Sequence, residues 1–236
     1  MKKIACVISF IISVNSIAQE QATRMQFDHY NVQQGLSQGW VTSIYQDFLG
    51  FMWFGTNDGL NRFDGYTFKV YKHNPKSNKS LRNNNVNKII EIDNELWLAT
   101  SSGLCRFNRA EDIFYFDTLW PEIYISDIKC INKKLIIASE SGLYYLDTDK
   151  NAFQRFRING QDVLSELVIY SLAVNKKNEI WIGTNQGLFL LSDSFSKLTP
   201  VIYLADYNQI NRNINISSIE IDSSNRVWVG TETQGL

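Results

Sequence analysis

A short phrase recurs five times along this chain of 236 residues. Trp53-Phe54-Gly55-Thr56 is followed by Gly59-Leu60, and Trp97-Leu98-Ala99-Thr100 by Gly103-Leu104. Ile136-Ile137-Ala138-Ser139 precedes Gly142-Leu143, Trp181-Ile182-Gly183-Thr184 precedes Gly187-Leu188, and Trp228-Val229-Gly230-Thr231 precedes Gly235-Leu236. The anchor residues at 53, 97, 136, 181 and 228 are thus separated by 44, 39, 45 and 47 positions. A period of this size, held over five copies, confines the chain to repeat architectures in which each unit buries its apolar surface against the next.

The unit itself is extended. Eleven or twelve residues before each anchor stands an apolar-polar-polar-apolar quartet: Val41-Thr42-Ser43-Ile44, Val86-Asn87-Lys88-Ile89, Ile125-Ser126-Asp127-Ile128, Ile169-Tyr170-Ser171-Leu172 and Ile216-Ser217-Ser218-Ile219. Asn, Asp and Gly fill the links between quartet and anchor, as at Asp47 to Gly50 and Asn175 to Asn178, and supply turn geometry. The first copy predicts four strands, at 41–46, 51–56, 60–64 and 67–71. Apolar residues at helical spacing are not sustained anywhere, and leucine-rich solenoids have shorter units. The fold class expected is therefore all-β: a β-propeller of four-stranded antiparallel blades, with repeat units at about 41–85, 86–124, 125–168, 169–215 and 216–236. A large ring at the anchor fills the wedge between neighbouring sheets, and Ile136 implies different packing in the third copy. The small residue after each anchor pair, such as Gly55 or Gly183, fits a close backbone approach, and the Thr or Ser that follows fits a hydrogen bond within the turn.

Composition closes off several function classes. The 13% of aromatic residues suits a β-rich chain. A formal charge of -1, more acidic without Lys2 and Lys3, does not suit a surface for nucleic-acid phosphates. Residues 1–18 read as a signal peptide: a basic start, the apolar run Ile4 to Val14, then small residues at Ser16 and Ala18. The exported chain then comprises 19–236, and export permits a disulfide between Cys105 and Cys130, although buried thiols are favoured.

The two ends do not match. Phe27 to Asn31 resembles the close of a unit, so 25–30 is expected to form an outermost strand without a unit of its own. The fifth unit stops after its second strand. The propeller is thus incomplete, with about four full blades, a half blade and an orphan closing strand, whereas seven such units would need about 300 residues. The sequence is expected to be a piece of a longer chain whose open edges promote association.

Gly35-Leu36-Ser37, then Val41 to Leu60 with Asp47, Gly50, Trp53, Gly55-Thr56, Asp58 and Gly59-Leu60, followed by Phe63-Asp64, resembles the two-component regulator propeller repeat. The resemblance runs over about 25–236. It implies the N-terminal periplasmic sensor propeller of a Bacteroides-type hybrid histidine kinase anchored in the inner membrane. Downstream propeller and sensor domains, a homodimeric parent and an oligosaccharide ligand are implied with it. It implies neither kinase activity nor nucleic-acid binding in these residues.

Direct chemical signals are sparse. His29 and His73 lack partners at metal-ligand spacing. Asp147, Asp149 and Asn151 alternate as in a calcium loop but without its Gly and late Glu, which favours a plain turn. No catalytic residue, metal site or cofactor is expected. Sugars call for aromatic faces and planar polar groups, and the candidates in the links are Trp40, Tyr66, Arg82, Trp120 and Tyr124. The alternatives are a secreted glycan-active hydrolase or lyase, which needs converging acids, and a protein-interaction scaffold.

Overall fold

The computed structural model describes residues 27–201 and 214–232. The chain forms consecutive antiparallel sheets. Sheet 1 contains β1 (Val41–Gln46), β2 (Met52–Thr56), β3 (Gly59–Phe63) and β4 (Phe68–Tyr71), in that order. Sheet 2 contains β5 (Val86–Ile92), β6 (Glu95–Thr100), β7 (Gly103–Asn108) and β8 (Ile113–Tyr115). Sheet 3 contains β9 (Ile125–Ile131), β10 (Lys134–Ser139), β11 (Gly142–Asp147) and β12 (Ala152–Arg155). Sheet 4 contains β13 (Ile169–Val174), β14 (Ile180–Thr184), β15 (Gly187–Leu191) and β16 (Leu198–Val201). Sheet 5 has two strands, β17 (Ile216–Ile221) and β18 (Val227–Thr231). The first strands β1, β5, β9, β13 and β17 lie side by side in that order, so the sheets fan around a common axis as blades of an incomplete propeller.

Each junction has its own apolar core, as a wedge between twisted sheets requires. Between sheets 1 and 2, Trp53 is fully buried, with its ring centroid 5.3 Å from that of Phe107 and 5.9 Å from that of Tyr71. Trp97 fills the junction of sheets 2 and 3 and stacks on Trp120. At the third junction the smaller Ile136 leaves room that Phe156, Leu164 and Leu167 occupy from the link after β12. Trp228, in sheet 5, is 48% exposed. The close approach inferred at Gly55 is real, since a Cβ there would sit 2.7 Å from the Val86 carbonyl oxygen. Thr56, Thr100, Ser139 and Thr184 each donate to the carbonyl of the glycine three residues on, closing the turn between second and third strands.

Two expectations need adjustment. Residues 27–30 are not a strand: Tyr30 packs its ring 4.8 Å from Phe63 and 6.0 Å from Phe68, and Asn31 caps a single 3-10 turn at Val32–Gln34. The segment docks by a side chain instead of backbone pairing, while residues 25 and 26 lie outside the described residues. Cys105 is buried as a free thiol, its pKa pushed up to about 12 by burial, but Cys130 is exposed and also unbridged. Residues 1–18 and the last Gly-Leu pair, Gly235-Leu236, lie outside the described residues as well.

Candidate functional site: the axial mouth

The inner strands share a defect that positions side chains. In each of β1, β5, β9, β13 and β17 the pairing with the second strand slips by one residue near the start, leaving Thr42, Asn87, Ser126, Tyr170 and Ser217 unpaired. Such bulges re-aim the extra side chain. Here all five residues line one cavity of about 620 Å³ at the axis, at the end of the fan where the inner strands begin.

Three of the bulged side chains reach across to the next sheet. Thr42 Oγ1 donates to the Val86 carbonyl, Asn87 Nδ2 to the Ile125 carbonyl at 2.7 Å, and Ser126 Oγ to the Ile169 carbonyl at 2.5 Å. The next residue along acts as acceptor. Ser43 Oγ receives the Ile89 N–H at 3.1 Å, Asp127 Oδ2 the Leu172 N–H at 2.8 Å, and Ser171 Oγ the Ile219 N–H at 3.1 Å. An inner strand is a sheet edge with unpaired backbone groups, and these side chains satisfy them. Lys88 cannot accept, so the Ile128 N–H turns to Asp127 Oδ1 at 2.8 Å, while Lys88 Nζ stands 3.8 Å from the same carboxylate. Tyr170 departs from the small polar pattern and is exposed in the cavity.

The rim comes from links on the same face. Trp40 precedes β1 and is 68% exposed; Tyr124 precedes β9; Glu140 sits in the turn between β10 and β11. The Glu140 N–H donates to the Tyr124 carbonyl at 3.4 Å, tying that turn to the link. Burial, and then the Glu140 charge beside it, pushes the Tyr124 phenol above its ordinary value, so it remains a donor through the physiological range. Among the described residues Glu140 is the only acid lining the cavity, and no Lys or Arg lines it. The arrangement can stack planar or apolar ligand faces and present one carboxylate.

Of the five residues singled out in the links, the structure brings Trp40 and Tyr124 together at this mouth. Tyr66, 92% exposed, lies in the turn between β3 and β4, at the opposite end of the strands. Arg82 and Trp120 are buried. Arg82 donates to the carbonyls of Leu104 and Trp120, both at 3.2 Å, and lies over the Phe116 ring, so it holds the link between sheets. Asn87, Glu140 and Tyr170 were not singled out by sequence. Asn87 and Tyr170 occupy the second place of the recurring quartet, and that place is the signal that marks them. His73 is spent within its own link, where its Nδ1–H donates to the Leu81 carbonyl at 2.7 Å. Asp147 caps the turn before β12 by accepting from the Lys150 N–H at 3.2 Å.

The link between first and second strands shows a further repeated device. Asp47 Oδ1 accepts from the N–H of Leu49 and of Phe51, both at 3.0 Å, and its Oδ2 accepts from the Trp53 indole at 2.8 Å. Asp222 repeats this with the N–H of Ser224 and Arg226, both at 2.9 Å, and the Trp228 indole at 3.1 Å.

Comparison with known proteins agrees with this anatomy. A family model described as Two component regulator propeller matches residues 35–58 and 209–233, the two segments that carry the Asp47–Trp53 and Asp222–Trp228 pairs. Over 61 residues, 26% of the chain, the sequence is 46% identical to Histidine kinase P4 of Formosa agariphila, of which that stretch is 4%. The extracellular domain of the one component system BT4673 from B. thetaiotaomicron superposes with a TM-score of 0.71 at 25% identity, covering 84% of this chain and 26% of that one. That of the hybrid two component system BT3049 from the same organism gives 0.72 at 23% identity, covering 88% and 29%, and bears on the fold alone. The chain therefore spans under a third of the proteins it is compared with here. It is a propeller domain matching the two-component regulator propeller family.

Proposed function

We propose that this chain is the extracytoplasmic ligand-sensing propeller of a transmembrane two-component sensor and that it takes an oligosaccharide at the axial mouth. Likeness to extracellular domains of sensor systems supports a sensing or scaffold role. The observation that carries the finer reading is the mouth itself, where Trp40, Tyr124 and Tyr170 stand exposed around one cavity. Exposed rings are costly unless they meet a partner, and the C–H face of a sugar is such a partner. In this reading residues 1–18 export the chain to the periplasm and 19–236 form part of the first propeller. Later domains of a dimeric, inner-membrane parent carry the kinase chemistry, and this region performs no catalysis.

Tryptophan fluorescence of the full chain, titrated with a panel of neutral and charged oligosaccharides, tests the reading. Saturable quenching that Trp40→Ala weakens at least tenfold is the expected result. A panel with no binding member, or binding that Trp40→Ala leaves unchanged, overturns it.

A further inference from the structure

The charge of the mouth is one-sided, and it selects among ligands. The hydroxyl protons of Thr42, Ser126 and Ser217 are committed to backbone carbonyls, those of Val86, Ile169 and Gly230. One amide proton of Asn87 is committed to the Ile125 carbonyl. These four side chains keep hydroxyl and amide oxygens as acceptors, while the second Asn87 amide proton, the Trp40 indole and the Tyr124 and Tyr170 phenols add neutral donors. Glu140 adds a carboxylate that, among the described residues, forms no salt bridge. Three aromatic rings share the same space, and their faces attract cations.

A mouth with one carboxylate, no cationic side chain among the described residues and aromatic walls fits a ligand that carries positive charge. The carboxylate or sulfate groups of uronic acids and sulfated sugars bring a charge like that of Glu140. Neutral sugars offer both donors and acceptors and exploit the carboxylate only through a hydroxyl. A protonated primary amine offers three donors and a charge in one group. Resting on the oligosaccharide reading above, we infer that the axial mouth is a binding site for amino sugars, with the ammonium group at Glu140 and the sugar rings against Trp40, Tyr124 and Tyr170.

The test is calorimetric titration of the full chain with three oligosaccharides of equal length: a glucosamine hexamer, its N-acetylated counterpart and a hexamer of galacturonate. The glucosamine hexamer is expected to bind about tenfold more tightly than the N-acetylated one, with the galacturonate hexamer weakest. Glu140→Gln, an exposed and nearly isosteric change, should erase the preference by weakening the glucosamine hexamer to the level of its N-acetylated counterpart. Raising the pH until the amine loses its proton should erase it in the unmodified chain. Equal binding of the two glucosamine-based hexamers, insensitive to Glu140→Gln, overturns the inference and leaves the oligosaccharide reading standing. Strongest binding of the galacturonate hexamer also overturns it. No binding by any of the three overturns the amino-sugar site, and the oligosaccharide reading is then decided by the neutral panel with Trp40→Ala.

Discussion

Sheets 1 and 4 are built to one plan, yet their hairpins are held differently. In sheet 1 the carboxylate of Asp47 is fully buried and binds two backbone N–H groups, the Trp53 indole and, at 3.2 Å, Arg109 Nε from sheet 2. In sheet 4 Asn175 stands at the same place. Its Oδ1 accepts from the N–H of Lys177 and Glu179 at 2.9 and 3.0 Å, but its Nδ2 donates to the Glu179 carboxylate at 2.7 Å. An amide has a single acceptor oxygen, so Trp181 Nε1 is buried with no hydrogen-bond partner among the described residues. One atom, the second carboxylate oxygen, separates a hairpin locked to its anchor ring from a hairpin that merely turns. Sheets 2 and 3 omit the device: Asp93-Asn94 and Asn132-Lys133 make two-residue turns with positive φ at both positions.

The largest expected effect follows from Asp47. Asp47→Ala leaves the buried Trp53 indole and two turn N–H groups without their acceptor and takes from Arg109 one of its two carboxylates, the other being Glu91 at 2.8 Å, and should cost about 3–5 kcal/mol in urea unfolding. Asn175→Ala removes two backbone turn hydrogen bonds, the one to the Glu179 carboxylate and no indole contact, and should cost only about 1–2 kcal/mol. Equal losses at the two positions would break the comparison. Installing the missing oxygen sharpens it. Asn175→Asp combined with Glu179→Gln, which removes the facing carboxylate, should gain about 1 kcal/mol through a new Trp181 hydrogen bond. An unshifted denaturation midpoint would show that the indole does not reach position 175.

The smallest effect is a pH dependence in sheet 5. The N–H of Arg226, then the Trp228 indole, hold the Asp222 carboxyl below its ordinary range. A depressed folded value means that this hairpin is fully supported above the unfolded pKa. The support is lost as pH falls through the lower folded value. Amide and indole proton resonances of Arg226 and Trp228 should therefore shift in acid below the usual carboxylate range. The Lys177 N–H, held by an amide oxygen that does not titrate, should not follow them. Parallel titration of both turns would remove the distinction.

Much of this anatomy was legible in the sequence because strands and turns repeat with fixed spacing. The first sheet was expected at 41–46, 51–56, 60–64 and 67–71 and is found within a residue or so of those bounds. The glycine turns and the buried anchors were legible for the same reason. The site was only half legible. Trp40 and Tyr124 lie where a link enters an inner strand, but Arg82 and Trp120 lie in equivalent links and fold inward, because aromatic stacking and free carbonyls draw them there. Link direction has no period to read. The two polar residues inside each quartet break strand alternation, which is the mark of a bulge, and they carry both the latches and the mouth.

Those latches point one way along the chain. The hydroxyl or amide at Thr42, Asn87 and Ser126 always belongs to the earlier sheet and the carbonyl to the later one, 38 to 44 residues on. During synthesis from the N-terminus, the gripping side chain is therefore already in place when its target emerges. Each sheet can be captured by its predecessor on arrival, without waiting for distant parts of the polypeptide. Loop closure never exceeds about one repeat per step, so its entropy cost stays small and nearly constant. Growth of the propeller is then a succession of short captures, and a strand edge is exposed to the cell only for the time needed to make the next repeat.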